Sequence, residues 1–554
     1  TQDLGWESGL NFGKTAKMPD FMRNDPSKNH FYMLPFLLGL LGLAWQSVKR
    51  GEDATVIGLL FFFTGLAIVI YLNQYPSQPR ERDYSFAGSF QTFAIWIGLS
   101  VIALYQMLEK FLGNTSVYVA GILALIAPIL MAADGWDDHS RAGRYVAPDS
   151  AYNLLNSLAP NAVLFTNGDN DTFPLWYAQE VEGIRTDVRV LCLSYVNTDW
   201  YIDQMYQKVN DSEPLPLNLK RSDYQGQSKQ SRSFGDRTRL PIQLPADGQS
   251  LLNSGIIYES DMPFVEAPMK WNVPTRGSKG NKYLELKDIL ILNLLENVSK
   301  NDWERPVYFA NTVTPSSFLG LDDYLRLEGL AYRILPVKKP KKNDPYDPFS
   351  GDLDLERMDK NMTAFRYRNL DKEGMYYDEN IIRMLGNYYN TFYRLGNGYL
   401  REAEELEAEN SRLNGIINGS DAAAADSART AKQNNDTKIA SLKAKALESM
   451  NFADEKFPVK YATPDPYMIV RNGLIYDRLG EIEKANEYFE YGKERSLGTL
   501  KYYTEAGGFF PKSREYMFPL QMLQQYYRQK NDVEKLTALT EEMNKLDPRF
   551  LKGQ

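Results

Sequence analysis

Seven consecutive residues, Gln78-Pro79-Arg80-Glu81-Arg82-Asp83-Tyr84, set two guanidinium groups two positions apart beside carboxylates and a phenol. Arginine forks match the oxygens of a phosphate or diphosphate, so Arg80 and Arg82 are candidates for donor-phosphate binding, with the Tyr84 hydroxyl as a further donor. Glu81 and Asp83 can support that loop. The same four charges can also neutralise one another and lock a turn after Pro79. The segment lies between two apolar stretches, Ala54–Leu72 and Phe86–Leu108. Charged groups at the mouth of a membrane bundle are costly to keep there without a use. The expected ligand is therefore a lipid phosphate that arrives at the bilayer surface.

Two further clusters follow. Asp137, Asp138, His139 and Arg141 come directly after the last apolar stretch. They can line the same cleft as the arginine loop and meet an acceptor there, or they can form an interfacial hydrogen-bond cluster. Asn167-Gly168-Asp169-Asn170-Asp171-Thr172 follows a short apolar run. Asp169 and Asp171 can belong to an acceptor cleft or hold a divalent cation through oxygen, or they can cap a helix and shape a turn. The rest of a calcium-loop pattern is missing. With two histidines and one cysteine in the chain, a multi-histidine metal centre, a cysteine-based zinc site and an internal disulfide are all excluded. Cys192 sits in the apolar run Val188–Val196 and reads as a buried, inert thiol.

These residues must be positioned by unlike parts. The mean hydropathy, −0.44, averages a strongly apolar first quarter with a polar remainder. Four stretches, Phe31–Trp45, Ala54–Leu72, Phe86–Leu108 and Val117–Ala133, predict about four membrane helices within residues 1–135. Lys49, Arg50 and Lys110 in the short connecting loops put those loops in the cytoplasm. The arginine loop and the long C-terminal region then face the other side.

Residues 136–340 predict a soluble α/β domain. Ala162–Thr166 and Asp187–Val196 read as buried strands, with a helix beginning at Pro174 between them. In such sheets ligands gather beyond the carboxyl ends of the strands, where Asp169 and Asp171 are expected. Residues 207–282 read as a long, irregular polar insertion. Tyr283–Val298 predicts a helix, and Arg305–Asn311 and Tyr332–Val337 predict strands. Lys338–Pro348 is rich in Lys, Pro and Asp, so residues 341–374 are expected to be a linker. Residues 375–554 predict a helical, tetratricopeptide-like region. Gly473, Tyr476, Gly480, Ala485 and Phe489 fall at the small and aromatic positions of that repeat. Asn418–Lys443 is either a solvated helix or a linker.

The formal net charge of −8 and the lack of a basic stripe argue against nucleic acid. The sequence opens at Thr1 in a polar segment without a signal-peptide pattern, so we expect it to begin inside a longer polypeptide or to be one processed half.

A set of stretches resembles the C-terminal half of a bacterial multi-spanning envelope family of unknown function related to protein O-mannosyltransferases. They are Phe61–Ala67, Gln78–Tyr84, Asp137–His139, Asn167–Val181, Arg185–Arg189, Asn197–Met205, Arg305–Ala310 and Leu327–Arg333. The resemblance implies part of an integral membrane glycosyltransferase of the C type. Such an enzyme takes a sugar from a polyprenyl-phosphate donor and adds it to a protein or glycan acceptor outside the cytoplasm. It implies a bacterial inner membrane location, with the soluble region in the periplasm. In that class the principal catalytic acid lies in the first outward loop. This sequence has no counterpart, so that acid is expected in an N-terminal half or a second chain that completes the bundle. The implied partners are membrane lipid, the lipid-linked sugar and an acceptor protein. No cofactor follows beyond a divalent cation as the alternative occupant of Asp169 and Asp171. From a different class, a non-catalytic membrane-anchored scaffold that recruits envelope proteins fits the same domain order.

Overall fold

The computed structural model describes residues 18–73, 82–226, 230–340, 344, 346–347, 351–419, 421–461, 465–506 and 512–551. It is a mixed α/β, mostly helical chain that divides into two compact units. One comprises Thr1–Ala142 with Gly498–Pro511, and the other Gly143–Leu497 with Lys512–Gln554.

The first unit is built on helices α1 (Leu34–Lys49), α2 (Gly51–Thr64), α3 (Leu66–Leu72), α4 (Ala87–Leu112) and α5 (Ser116–Asp134). Small residues let α1 and α4 approach closely. A Cβ on Gly42 would stand 1.8 Å from the Trp96 carbonyl oxygen, and one on Gly39 would meet the Phe93 ring. On α4, Ser89, Thr92, Trp96, Ser100 and Ala103 share the buried face. Trp96 Nε1 donates to Gln46 Oε1 at 2.8 Å and Trp45 Nε1 to Gln106 Oε1 at 2.9 Å, so both indole groups at this seam are satisfied. The outward faces are apolar: Val56, Phe63, Ile70, Phe90, Phe111 and Ile122 are all exposed. A surface of that kind calls for apolar surroundings.

Among the described residues two stretches, rather than the expected four, are long and apolar enough to cross a membrane: Gly51–Leu72 and Tyr84–Asp134. The expected first crossing forms only the 16-residue helix α1. The expected third and fourth crossings fall in the single stretch Tyr84–Asp134. A 3-10 turn at Gly113–Thr115 divides that stretch, opened by the positive φ of Gly113.

The second unit centres on a six-stranded sheet. Its strands are β1 (Val163–Thr166), β2 (Arg189–Cys192), β7 (Val307–Ala310), β8 (Leu325–Leu327), β9 (Ala331–Ile334) and β10 (Asp352–Leu353), in the order β10-β8-β9-β7-β1-β2. β1 runs parallel to β2 and to β7, while β9 runs antiparallel to β7 and β8. Every residue of β1, β2, β7 and β9 is buried, as in sheets covered on both faces. Helix α6 (Val146–Asn156) precedes β1, and α7 (Asp169–Glu180) forms the crossover to β2.

Between β2 and β7 the structure departs from the irregular insertion expected over 207–282. β3 (Ser231–Gly235) pairs antiparallel with β6 (Lys282–Glu285), and β4 (Arg239–Leu244) with β5 (Met269–Pro274). The alternating burial of β5 buries Met269, Trp271 and Val273 in a segment whose polar composition hides the pattern. Helix α8 runs over Leu286–Lys300, because Tyr283 belongs to β6 and Asp288 accepts from the Glu285 amide at 3.0 Å to start the helix.

The stretch expected as a linker, 341–374, supplies strand β10 and helix α9 (Leu355–Thr363). Met358 and Met362 of α9 are fully buried, and the Asp354 carboxylate caps the helix on the Arg357 amide. The helical region contains α10 (Glu379–Ile417), α11 (Ala422–Lys456), α12 (Pro466–Arg478) and α13 (Ile482–Ala506), then α14 (Ser513–Gln529) and α15 (Val533–Met543). Most of Asn418–Lys443 is therefore helix, lying in α11. In the α12–α13 pair, Gly473 faces the Phe489 ring, Tyr476 and Ala485 are buried, and Gly480 takes φ +86° at the turn.

Candidate functional site

The chain leaves β1 through α7 toward β2, and leaves β7 toward β8 and β9 on the opposite side. The carboxyl ends of β1 and β7 thus diverge, which opens a crevice between their loops. A cavity of about 370 Å³ occupies that place. Asn167–Asp171 after β1 and Asn311–Thr312 after β7 form one side. Ser150 and Leu154 of α6 and Asn380, Asn387 and Tyr388 of α10 form the other.

Local chemistry fixes these walls. Thr166 at the end of β1 and Thr172 in the first turn of α7 join hydroxyls at 2.7 Å in the core. Asp171 accepts from the Gly168 amide at 3.3 Å with one oxygen and from Thr312 Oγ1 at 2.6 Å with the other. A carboxylate in the first turn also suits the positive end of the helix. Asp169 is exposed, and its carboxylate makes no hydrogen bond among the described residues. Tyr388 accepts from Asn153 Nδ2 at 2.7 Å, and burial pushes its phenol up to about 12. It therefore presents a neutral hydroxyl at physiological pH.

The wall is rich in asparagine amides, each able both to donate and to accept. With Asp169, Asp171, Thr312 and an apolar floor of Leu154, Leu175 and Leu330, it suits a ligand carrying several hydroxyl or amide groups. Among the described residues there is no group of three or more His, Cys, Asp or Glu placed to hold a metal ion. Asp169 and Asp171 stand as a pair, and both oxygens of Asp171 already serve the loops.

The other sequence-predicted residues belong to the first unit. Arg80 and Glu81 lie outside the described residues, as do Gln78 and Pro79. Arg82 is exposed at the start of the 3-10 turn Asp83–Phe86, where its carbonyl accepts from the Ser85 amide at 2.9 Å. The Tyr84 side chain is 65% exposed. Asp137, Asp138 and His139 form the short helix Trp136–His139, and Arg141 is exposed just beyond it. His139 Nδ1 lies 2.7 Å from Asp138 Oδ1 and 2.8 Å from the Gly135 carbonyl. The bond to Asp138, helped by that carbonyl, raises the imidazole above its ordinary value. Asn29 donates to the other oxygen of Asp138 at 3.3 Å, and the His30 amide donates to Asp134. The cluster thus binds residues 29–30 to the end of α5.

Sequence reasoning did not reach Asn311, Thr312, Asn380, Asn387 or Tyr388. The last three carried a signal: positions 380, 387 and 388 recur at two helical turns and so share one face of the helix.

No curated protein and no solved structure matches the chain. The family described as TMEM260-associated domain 2 matches residues 147–239 and 239–359, a region that contains the whole six-stranded sheet and both of the loops that meet at Asp171 and Thr312.

Proposed function

We propose that this chain is part of a membrane glycosyltransferase that moves a sugar from a polyprenyl-phosphate donor to a protein or glycan acceptor outside the cytoplasm. One observation carries the reading. A domain similar to TMEM260-associated domain 2, with an amide-lined cavity at its switch point, shares a chain with helices of membrane-crossing length and apolarity.

In this reading Arg80, Arg82 and Tyr84 hold the donor phosphate, with Glu81 and Asp83 supporting the loop. The switch-point cavity receives the acceptor through Asp169, Asp171 and the neighbouring amides. An acceptor hydroxyl attacks the anomeric carbon. A new glycosidic C–O bond forms, the bond to the lipid phosphate breaks, and the phosphate leaves with the electron pair. The hydroxyl proton passes to a base that we do not assign within this chain. The arginines stabilise charge that develops on the leaving phosphate. The setting is the bacterial inner membrane with the second unit in the periplasm.

The test is polyprenyl-phosphate binding to the full chain in nanodiscs. Arg82→Ala is expected to weaken binding by roughly tenfold or more, the scale of a charge-assisted bond. Equal affinity in the variant would remove the donor-site assignment.

A further inference from the structure

A second cavity, of about 540 Å³, lies at the opposite, amino-terminal end of the parallel strands. Pro160–Asn161 ahead of β1 and Pro306 ahead of β7 form its floor, and Glu328, Arg333, Arg357 and Lys360 bring charge to its walls. Glu328 and Arg333 both belong to the segment Leu327–Arg333 singled out in the sequence.

Arg333 is in an unusual state. It lies on β9, 4% exposed, paired with Tyr308 of β7 and Arg326 of β8. Its Nε is buried without a partner. Among the described residues its guanidinium makes no hydrogen bond, and its ion-pair contact is Glu328 Oε1 at 3.6 Å. Both Glu328 oxygens serve other donors: Oε1 accepts from Arg357 Nη1 at 3.0 Å and Oε2 accepts from the Tyr308 hydroxyl at 2.7 Å. Arg357 has a second carboxylate, Asp354, at 3.5 Å. Lys360 is exposed at the mouth, and its ammonium pairs with no carboxylate among the described residues. Glu304, exposed at the rim, is the remaining charge on this wall.

A buried guanidinium offers five donors in a fixed fork, and leaving them unfilled is expensive. Arg333 faces a cavity large enough for a small solute, with a second cation at its entrance. The lining sets Arg333, Arg357 and Lys360 against Glu304 and Glu328, so a neutral solute would fill the donors but leave that excess of positive charge. An oxoanion would do both, because two of its oxygens match the fork. We propose that this cavity binds a small oxoanion, a phosphate or a carboxylate group, held by Arg333 with Lys360 at the entrance. The site is separate from the switch-point cavity and does not depend on the glycosyltransferase reading.

The experiment is thermal unfolding of the detergent-purified full chain in orthophosphate, in acetate and in chloride at equal ionic strength. The expected result is a saturable rise in Tm with an oxoanion and none with chloride. A response to phosphate alone assigns a phosphate ligand, and a response to acetate alone a carboxylate. Arg333→Met keeps the volume and removes the charge. It should weaken the oxoanion by at least about tenfold and leave Tm in chloride unchanged or higher, as relief of an unsatisfied buried charge predicts. Should that variant fail to fold, Lys360→Ala serves instead: it should fold normally and weaken binding by roughly two- to fivefold. Identical curves in the three salts, an undiminished shift in Arg333→Met, or unchanged affinity in Lys360→Ala when Arg333→Met does not fold, would overturn the proposal.

Discussion

Thr312 Oγ1 donates to Asp171 Oδ2 at 2.6 Å, and this bond joins the loop that follows β7 to the first turn of α7, just beyond β1. The two residues are 141 positions apart in sequence. They meet because their strands are parallel neighbours whose onward connections run in opposite directions. The bond holds together the mouth of the crevice that this topology opens.

If the bond positions the mouth, Thr312→Val and Asp171→Asn should affect acceptor capture more than stability. Each should lower unfolding free energy by about 0.5–1.5 kcal/mol, the usual net worth of one hydrogen bond. A double-mutant cycle read by denaturant titration should give less loss for the pair than the sum of the singles. Strict additivity would mean that the two loops are not coupled.

The sheet edge depends on a different contact. Arg326 of β8, almost fully buried, donates to Asp261 at 2.8 Å and to Asp352 of β10 at 2.9 Å. Removal of the arginine leaves both carboxylates, the fully buried Asp261 and Asp352, to the partly exposed Lys339 ammonium at 3.0 and 2.9 Å. Arg326→Met should therefore destabilise the second unit by about 1.5–3 kcal/mol, the scale of a hydrogen bond to a charged group. Its neighbour across the strand pair, Arg333, should not behave this way, because among the described residues its guanidinium makes no hydrogen bond that the substitution would remove. Chemical denaturation of the two variants side by side checks the contrast.

What could be read in the sequence follows from how local each signal is. β1 and β2 were legible because a buried strand is a short apolar run, and a helix between them was expected, but it begins at Asp169 rather than at Pro174, which lies inside it. That reading already put Asp169 and Asp171 beyond a strand's carboxyl end. Thr312 was not legible, because the β1–β7 pairing spans a long insertion and no local pattern reports it. β10 and α9 were masked by the Lys, Pro and Asp residues just before them, although Met358 and Met362 recur at a helical spacing. The apolar runs already set Phe86–Leu108 apart from Val117–Ala133, and the structure breaks the stretch that holds both at Gly113–Thr115. Hydropathy measures composition, whereas the break depends on one backbone angle at Gly113.

Close contact of α1 and α4 rests on glycine. With a Cβ at 1.8 Å from a backbone oxygen, Gly42→Val has no side chain that can yield, so the helices must move apart. Separation would also break the Trp96–Gln46 bond in the same seam. The variant should unfold at lower temperature in detergent by an amount equal to about 2 kcal/mol or more, within the range for overpacked cores. Gly58, which has open space around it, is the control: Gly58→Ala should leave the transition unchanged or raise it slightly.

His139 gives the clearest pH signature. Its folded value is raised above the ordinary 6.5, first by Asp138 and then by the Gly135 carbonyl. A raised histidine binds its proton more tightly in the folded state, so its contribution is complete below the unfolded value. That contribution fades as pH climbs through the raised folded value. Stability of the first unit should therefore fall across the window that starts near pH 6.5 and extends above it. The effect should be small, because the imidazole is largely solvent-exposed. His139→Gln should flatten that slope without lowering stability at high pH. Asp138→Asn should return the titration, followed by the imidazole proton resonances, toward the ordinary value. A titration that stays put in Asp138→Asn would mean that the carboxylate does not hold the proton there.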